Sequence, residues 1–105
     1  MIHITKQAAA AALAKSTALF TTVLQHGTMK VEWYKPEKAD LQTPHLQDEL
    51  YVIAAGRGIF SNGGERTEFK TGDVLFVPAG KEHRFEMFTD DFATWVIFYG
   101  PEGGE

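Results

Sequence analysis

The sequence predicts an all-β fold, an antiparallel sandwich or barrel carrying one short helix at its N-terminus. Three observations lead there. No glycine precedes Gly27, whereas nine of the ten glycines fall from Gly56 onward, so the first quarter is built differently from the rest. β-Branched and aromatic runs recur between Leu19 and Tyr99, each short and bounded by a turn signal. Roughly eight or nine short runs follow one another without an intervening helix, the signature of an antiparallel sandwich or barrel.

The elements follow in order. Thr5 can cap a helix over Lys6–Lys15, where Ala8–Ala12 and Leu13 have high helix propensity and no breaker intervenes. This segment reads as a small helix lying on the domain, with no chemistry of its own. Leu19–Leu24 and Met29–Tyr34 form a hairpin through Gln25-His26-Gly27, and Met29, Val31 and Trp33 alternate with Lys30, Glu32 and Tyr34. A polar connection with Pro36 and Asp40 leads to strands at Tyr51–Ala55, Gly58–Ser61, Glu65–Lys70, Val74–Val77, His83–Phe88 and Phe92–Tyr99. Asn62-Gly63-Gly64, Lys70-Thr71-Gly72-Asp73, Pro78-Ala79-Gly80-Lys81 and Thr89-Asp90-Asp91 supply the turns. Thr43-Pro44-His45 with Leu46, Leu50 and Ile53 also fits a capped helix, but Tyr51-Val52-Ile53 and the Gly56-Arg57-Gly58 break favour strand.

Composition narrows the function. At 105 residues, with 44% hydrophobic and 12% aromatic side chains, the chain has material for one core and no room for two. A single domain over residues 1–105 is expected. The formal charge of −4 offers no footprint for a phosphate backbone, so no nucleic-acid partner is expected. Without cysteine there is neither a disulfide nor a thiolate ligand or nucleophile. No run approaches the roughly 18 apolar residues of a membrane span, and the opening residues lack a signal-peptide pattern, so a cytoplasmic chain is expected. Serine hydrolysis finds no strand-turn-helix elbow, and the acidic pairs Asp48-Glu49 and Asp90-Asp91 read as solvated carboxylates.

Two of the four histidines stand where a fold could join them. His83 opens a strand whose inner face also carries Phe85 and Met87, and a histidine in that setting is either a hydrogen-bonded core residue or a ligand. His45, Gln47 and Glu49 share a parity, yet four residues of straight strand span about 13 Å. His45 and Glu49 can share an ion only if the chain bends between them.

Gly72, Pro78, Gly80 and His83 resemble the second conserved motif of the cupin superfamily, G-x5-P-x-G-x2-H-x3-N, with Met87 at its last position. His45, Glu49 and Gly56 resemble the later half of the first motif, G-x5-H-x-H-x3-4-E-x6-G, with Thr43 at its first histidine and Glu37 at its glycine. The likeness covers Pro44 to Tyr99. It implies a jelly-roll barrel over about residues 44–99, preceded by a helical and strand extension over 1–35. It also implies a divalent metal held by His45, Glu49 and His83, with the ligand at Thr43 missing. Two imidazoles and a carboxylate suit Fe(II) with open positions, and Zn, Mn, Ni or Co would accept the same donors. Gln47 is an auxiliary candidate.

Tyr51, Phe60, Phe76, Phe85 and Phe98 are expected to line or back the barrel interior, giving a cavity for a small, apolar or planar ligand. Phe92–Tyr99 is bulky on both faces, Trp95, Ile97 and Tyr99 opposing Phe92, Val96 and Phe98, which predicts a homodimer interface with Trp33. Two functions remain open: a metal-dependent dioxygenase or isomerase acting on a small organic molecule, and a non-catalytic module that binds or senses one.

Overall fold

The computed structural model describes residues 2–40 and 42–105. Helix α1 spans Lys6–Ala14, and the Thr5 hydroxyl accepts from the Ala8 N–H at 3.0 Å. Eight strands follow: β1 (Phe20–His26), β2 (Met29–Tyr34), β3 (Asp48–Ala55), β4 (Arg57–Asn62), β5 (Glu65–Lys70), β6 (Val74–Val77), β7 (His83–Glu86) and β8 (Ala93–Tyr99). All pairings are antiparallel, in a five-stranded sheet of order β1-β2-β8-β3-β6 and a three-stranded sheet of order β5-β4-β7. The fold is the expected β-rich barrel with one N-terminal helix.

The core lies between the sheets. Tyr51, Phe60, Phe85 and Phe92 are each no more than 1% exposed and pack ring against ring, with Tyr51–Phe85 and Phe60–Phe85 centroids both 4.8 Å apart. Such aromatic packing stabilises by burial plus about 0.5–1.5 kcal/mol per pair. Gly56 makes the corner between β3 and the smaller sheet. Its φ is +87° and a Cβ there would stand 2.6 Å from Phe92 Cα, so the turn needs glycine both for its backbone angle and for its space.

The outer face of the larger sheet has a second cluster, in which Ala9 and Leu13 of α1 cover Trp33, Ala54 and Ala93. Lys6 ties the helix down by donating to the Ala54 carbonyl at 2.8 Å. The helix therefore covers within the chain part of the two-sided apolar surface noted on Phe92–Tyr99. Further along that face Leu50, Val52 and Ile97 are half-buried, and Val74 and Phe76 are 61% and 47% exposed.

Several local expectations need correction. Phe76 does not line the interior: it pairs with Leu50, whose side chain faces outward, and β6 sends Leu75 and Val77 inward instead. Met87 does not continue the inner face of β7, because that strand ends at Glu86 and Met87 has φ +49° and is 79% exposed. The first hairpin turns at Gly27-Thr28, with His26 still paired to Met29. Strand β3 begins at Asp48, three residues before the expected start, and Thr43–His45 is neither helix nor strand. Among the described residues, no helix is long and apolar enough to cross a membrane.

Candidate metal centre

Three separate parts of the chain meet at one end of the core. Glu49 is the second residue of β3, 1% exposed, and its inward direction follows from pairing with Val77 and Phe98. His83 opens β7 in the opposite sheet and is 4% exposed. His45 sits before β3 on a segment held by its backbone: its carbonyl accepts from Gly80 N–H at 2.7 Å, and the next carbonyl, Leu46, accepts from Gly103 N–H at 2.7 Å. The chain bends at Leu46-Gln47, so the 13 Å separation of a straight strand never arises.

Glu49 Oε1 lies 3.1 Å from His83 Nε2 and 3.9 Å from His45 Nε2. All three residues offer ligand atoms within 4.8 Å of one another. Ligand atoms about 2.1 Å from one ion stand roughly 3 Å apart when they meet at a right angle, so the cluster already has nearly the required size. The other carboxylate oxygen, Oε2, is buried with no hydrogen-bond partner. A buried carboxylate with an orphaned oxygen is costly unless a cation faces it, and two imidazoles converge on the same space. The residues present thus fit a divalent ion.

The tautomer of His83 is determined by its neighbour. The Lys81 carbonyl can only accept, so Nδ1 carries a proton and donates to it at 2.9 Å, leaving Nε2 directed at Glu49 and available to an ion. Burial by itself pushes the His83 pKa down, but the Glu49 carboxylate and the Lys81 carbonyl outweigh it and the net direction is up from 6.5. Without an ion, a proton on Nε2 is what reconciles this nitrogen with Glu49. Tyr51 closes the site: its hydroxyl is 2.9 Å from His83 Nε2 and donates to Gln42 Oε1 at 3.2 Å. Burial and the nearby Glu49 hold the Tyr51 pKa well above 10, so it remains a neutral hydroxyl.

Behind the site stands a carboxylate that the sequence places only in a polar connection. Asp40 is 2% exposed and accepts four hydrogen bonds, from Tyr34 Oη at 2.6 Å, Phe85 N at 2.8 Å, Gln42 Nε2 at 2.9 Å and Gln42 N at 3.1 Å. Burial and Asp40 together raise the Tyr34 pKa, which keeps its proton in place as a donor. A cavity of about 590 Å³ reaches His45 and is walled by Lys30, Glu32, Tyr34, Gln42 and Phe98. The polar residues of β2, and not its Met29-Val31-Trp33 face, therefore look into the barrel. Lys30 pairs with Glu32 at 3.4 Å across this wall.

Of the auxiliary candidates, Tyr51, Phe60, Phe85 and Phe98 lie in the core cluster, and Phe98 packs edge-on against the His45 ring at 4.9 Å. Thr43 is exposed on the cavity wall. Gln47 points away from the site, its amide donating to the Gly100 carbonyl at 2.8 Å and the Thr28 carbonyl at 3.0 Å. Strand parity does not apply to it, because it precedes β3.

The cupin domain profile matches residues 29–99, from the start of β2 to the end of β8. The chain belongs to the cupin family. This cupin is 41% identical over 63 residues to an uncharacterised protein of Streptomyces coelicolor, covering 60% of each chain. It is 47% identical over 49 residues to a mannose-6-phosphate isomerase of Cryptococcus neoformans, covering 44% of this chain and 11% of that one. It is 36% identical over 66 residues to an acireductone dioxygenase of Geobacillus kaustophilus, covering 56% and 37%. The cupin thus spans at most 60% of the length of these relatives. A crystal structure of a Rhizobium leguminosarum protein of unknown function superposes with a TM-score of 0.80 at 18% identity, covering 96% of this chain and 98% of that one, which shows the shared fold.

Proposed function

We propose that this cupin is a divalent-metal-dependent enzyme of dioxygenase or isomerase type, acting on a small organic molecule in the barrel. His45, Glu49 and His83 hold the ion in this reading. The observation that carries it is Glu49, a carboxylate buried at 1% exposure with one oxygen unpartnered and two imidazoles beside it. A closed apolar cavity has no use for that charge. When bound, the ion supplies Lewis acidity toward a substrate oxygen, or a site for dioxygen if it is Fe(II).

The chain's own residues perform the remaining work. The Lys81 carbonyl orients the His83 ring by accepting from Nδ1, while Phe98 backs His45. Lys30 and Glu32 offer a cation and an anion on the cavity wall to a polar substrate group, and Phe98 an apolar surface. Similarity to an isomerase and a dioxygenase supports both reaction types and selects neither. Elemental analysis of protein purified without added metal tests the site. Metal in wild type and its loss in Glu49→Gln are expected, and oxygen uptake over a panel of small organic acids and carbonyl compounds separates the two chemistries. Wild type free of metal refutes the reading.

The exposure of Thr43, where a further imidazole would stand, favours a second reading, a non-catalytic barrel that binds or senses a small ligand. Ligand binding without turnover by metal-loaded protein distinguishes it. We also read the chain as one cytoplasmic domain that forms a homodimer. The uncovered stripe of Leu50, Val52, Val74, Phe76 and Ile97 supports the dimer, since it continues the Trp33–Trp95 face beyond the reach of α1.

A further inference from the structure

We infer that Gln42 supplies the fourth protein ligand of the metal centre through its side-chain carbonyl oxygen, in place of the histidine that Thr43 lacks. The inference rests on the metal site of the preceding section and adds to it a residue outside the family's ligand positions.

The first ground is position. Gln42 Oε1 lies 3.3 Å from His45 Nε2 and 3.2 Å from the Tyr51 hydroxyl, which itself stands 2.9 Å from His83 Nε2. A spacing near 3 Å between two donor atoms is what adjacent ligands of one ion show. Thr43, one residue later, is exposed, whereas Gln42 turns inward.

The second ground is orientation. An amide can present either end, and here the choice is forced. Asp40 accepts from Gln42 Nε2 at 2.9 Å, and a carboxylate has nothing to donate, so the NH2 group faces Asp40 and the oxygen faces His45 and the Tyr51 hydroxyl. Asp40 is held by the buried Tyr34 hydroxyl and the Phe85 N–H, and it also accepts from the Gln42 backbone N–H. Both ends of Gln42 are thereby fixed to one buried anion. This is the arrangement by which outer carboxylates orient inner ligands, and it draws electron density toward the amide oxygen, making it a better donor.

The consequence is chemical. Two nitrogens and two oxygens make a harder donor set than three imidazoles and a carboxylate, which shifts the site's preference toward harder ions such as Mn(II). Glu49 remains the one anionic ligand, so the ion itself keeps positive charge to offer an oxygen-rich substrate.

Crystals soaked with Zn2+, together with Zn2+ affinities from chelator competition, test this. In wild type, Oε1 of Gln42 is expected at about 2.0–2.2 Å from the ion. Gln42→Leu, checked for native fold by circular dichroism, is expected to weaken binding by roughly 10–100-fold, with Thr43→Ala unchanged. An ion held by His45, Glu49 and His83 with Oε1 beyond about 3 Å and water in its place overturns this inference alone. Affinity lost in Thr43→Ala and kept in Gln42→Leu does the same. Wild type that takes up no Zn2+ overturns the inference and the metal-dependent function together.

Discussion

Replacing Asp40 with alanine removes the acceptor from four hydrogen bonds at once. Two of the donors, Tyr34 Oη and Phe85 N, belong to buried residues, and each stranded buried donor costs about 1–3 kcal/mol. The two Gln42 donors are half-buried and can recover water, so they add little. Relief of the carboxylate's own desolvation offsets part of the loss, leaving an expected destabilisation of about 3–4 kcal/mol. That is a large share of the 5–15 kcal/mol typical of a small domain. Urea unfolding followed by the fluorescence of Trp33 and Trp95 measures it. With a slope of about 2 kcal/mol per molar urea, the midpoint falls by roughly 1.5–2 M, and Asp40→Asn, which keeps one acceptor oxygen, falls less. A shift below about 0.5 M for Asp40→Ala would mean that Tyr34 and Phe85 reach other partners, and the account of Asp40 as the anchor of this corner would fail.

Metal-free protein should lose stability as pH rises. The folded-state pKa of His83 lies above 6.5, so its contribution is complete below that value and disappears as pH passes the raised pKa. Thermal melting across neutral pH with a chelator present should show this decline, and His83→Gln should flatten it; equal slopes would refute the Glu49–His83 contact. At the acid end, backbone N–H groups of Glu105 and Ala79 lower the Asp48 pKa, so stability from this carboxylate is lost as pH drops through that lowered value. Asp48→Asn should reduce the acid slope. Gly72→Ala meets open space at φ +95° and should cost about 1–2 kcal/mol, whereas Gly56→Ala adds the collision with Phe92 and a further 1–3 kcal/mol or so. Equal unfolding midpoints for the two would refute the corner packing. Phe76→Asp should convert a dimer to monomer in sedimentation while native circular dichroism is kept; monomeric wild type would remove the dimer.

The number and order of the barrel strands were legible because glycine turns punctuate them, although β3 starts earlier than expected and β7 stops short, and His83 stood out because two glycines and a proline fix the corner before it. The face of β6 was not legible. Val74-Leu75-Phe76-Val77 is apolar throughout, so only its register against Leu50 and Tyr51 in β3 decides that Phe76 faces out. Gln47 misled for a related reason, since parity argues from a straight strand and the chain bends before Asp48. The inward look of Lys30, Glu32 and Tyr34 ran against hydrophobicity, because α1 covers the more apolar face of β2 at Trp33 and leaves the polar face to the cavity. Asp40 and Gln42 gave no local signal. Their placement depends on Phe85 and Tyr34 arriving from elsewhere in the chain, and a polar connection looks the same in sequence whether it is buried or wet.

Glu49 belongs to the larger sheet and His83 to the smaller, so the two layers share a clasp as well as a hydrophobic seam. Any ion gripped there binds the closed sandwich and ignores the open chain. At a free concentration one hundred times its dissociation constant it adds about 2.7 kcal/mol to folding. Cellular abundance of the protein would then track the supply of that ion, and starvation would thin the population before any change in the gene or its expression.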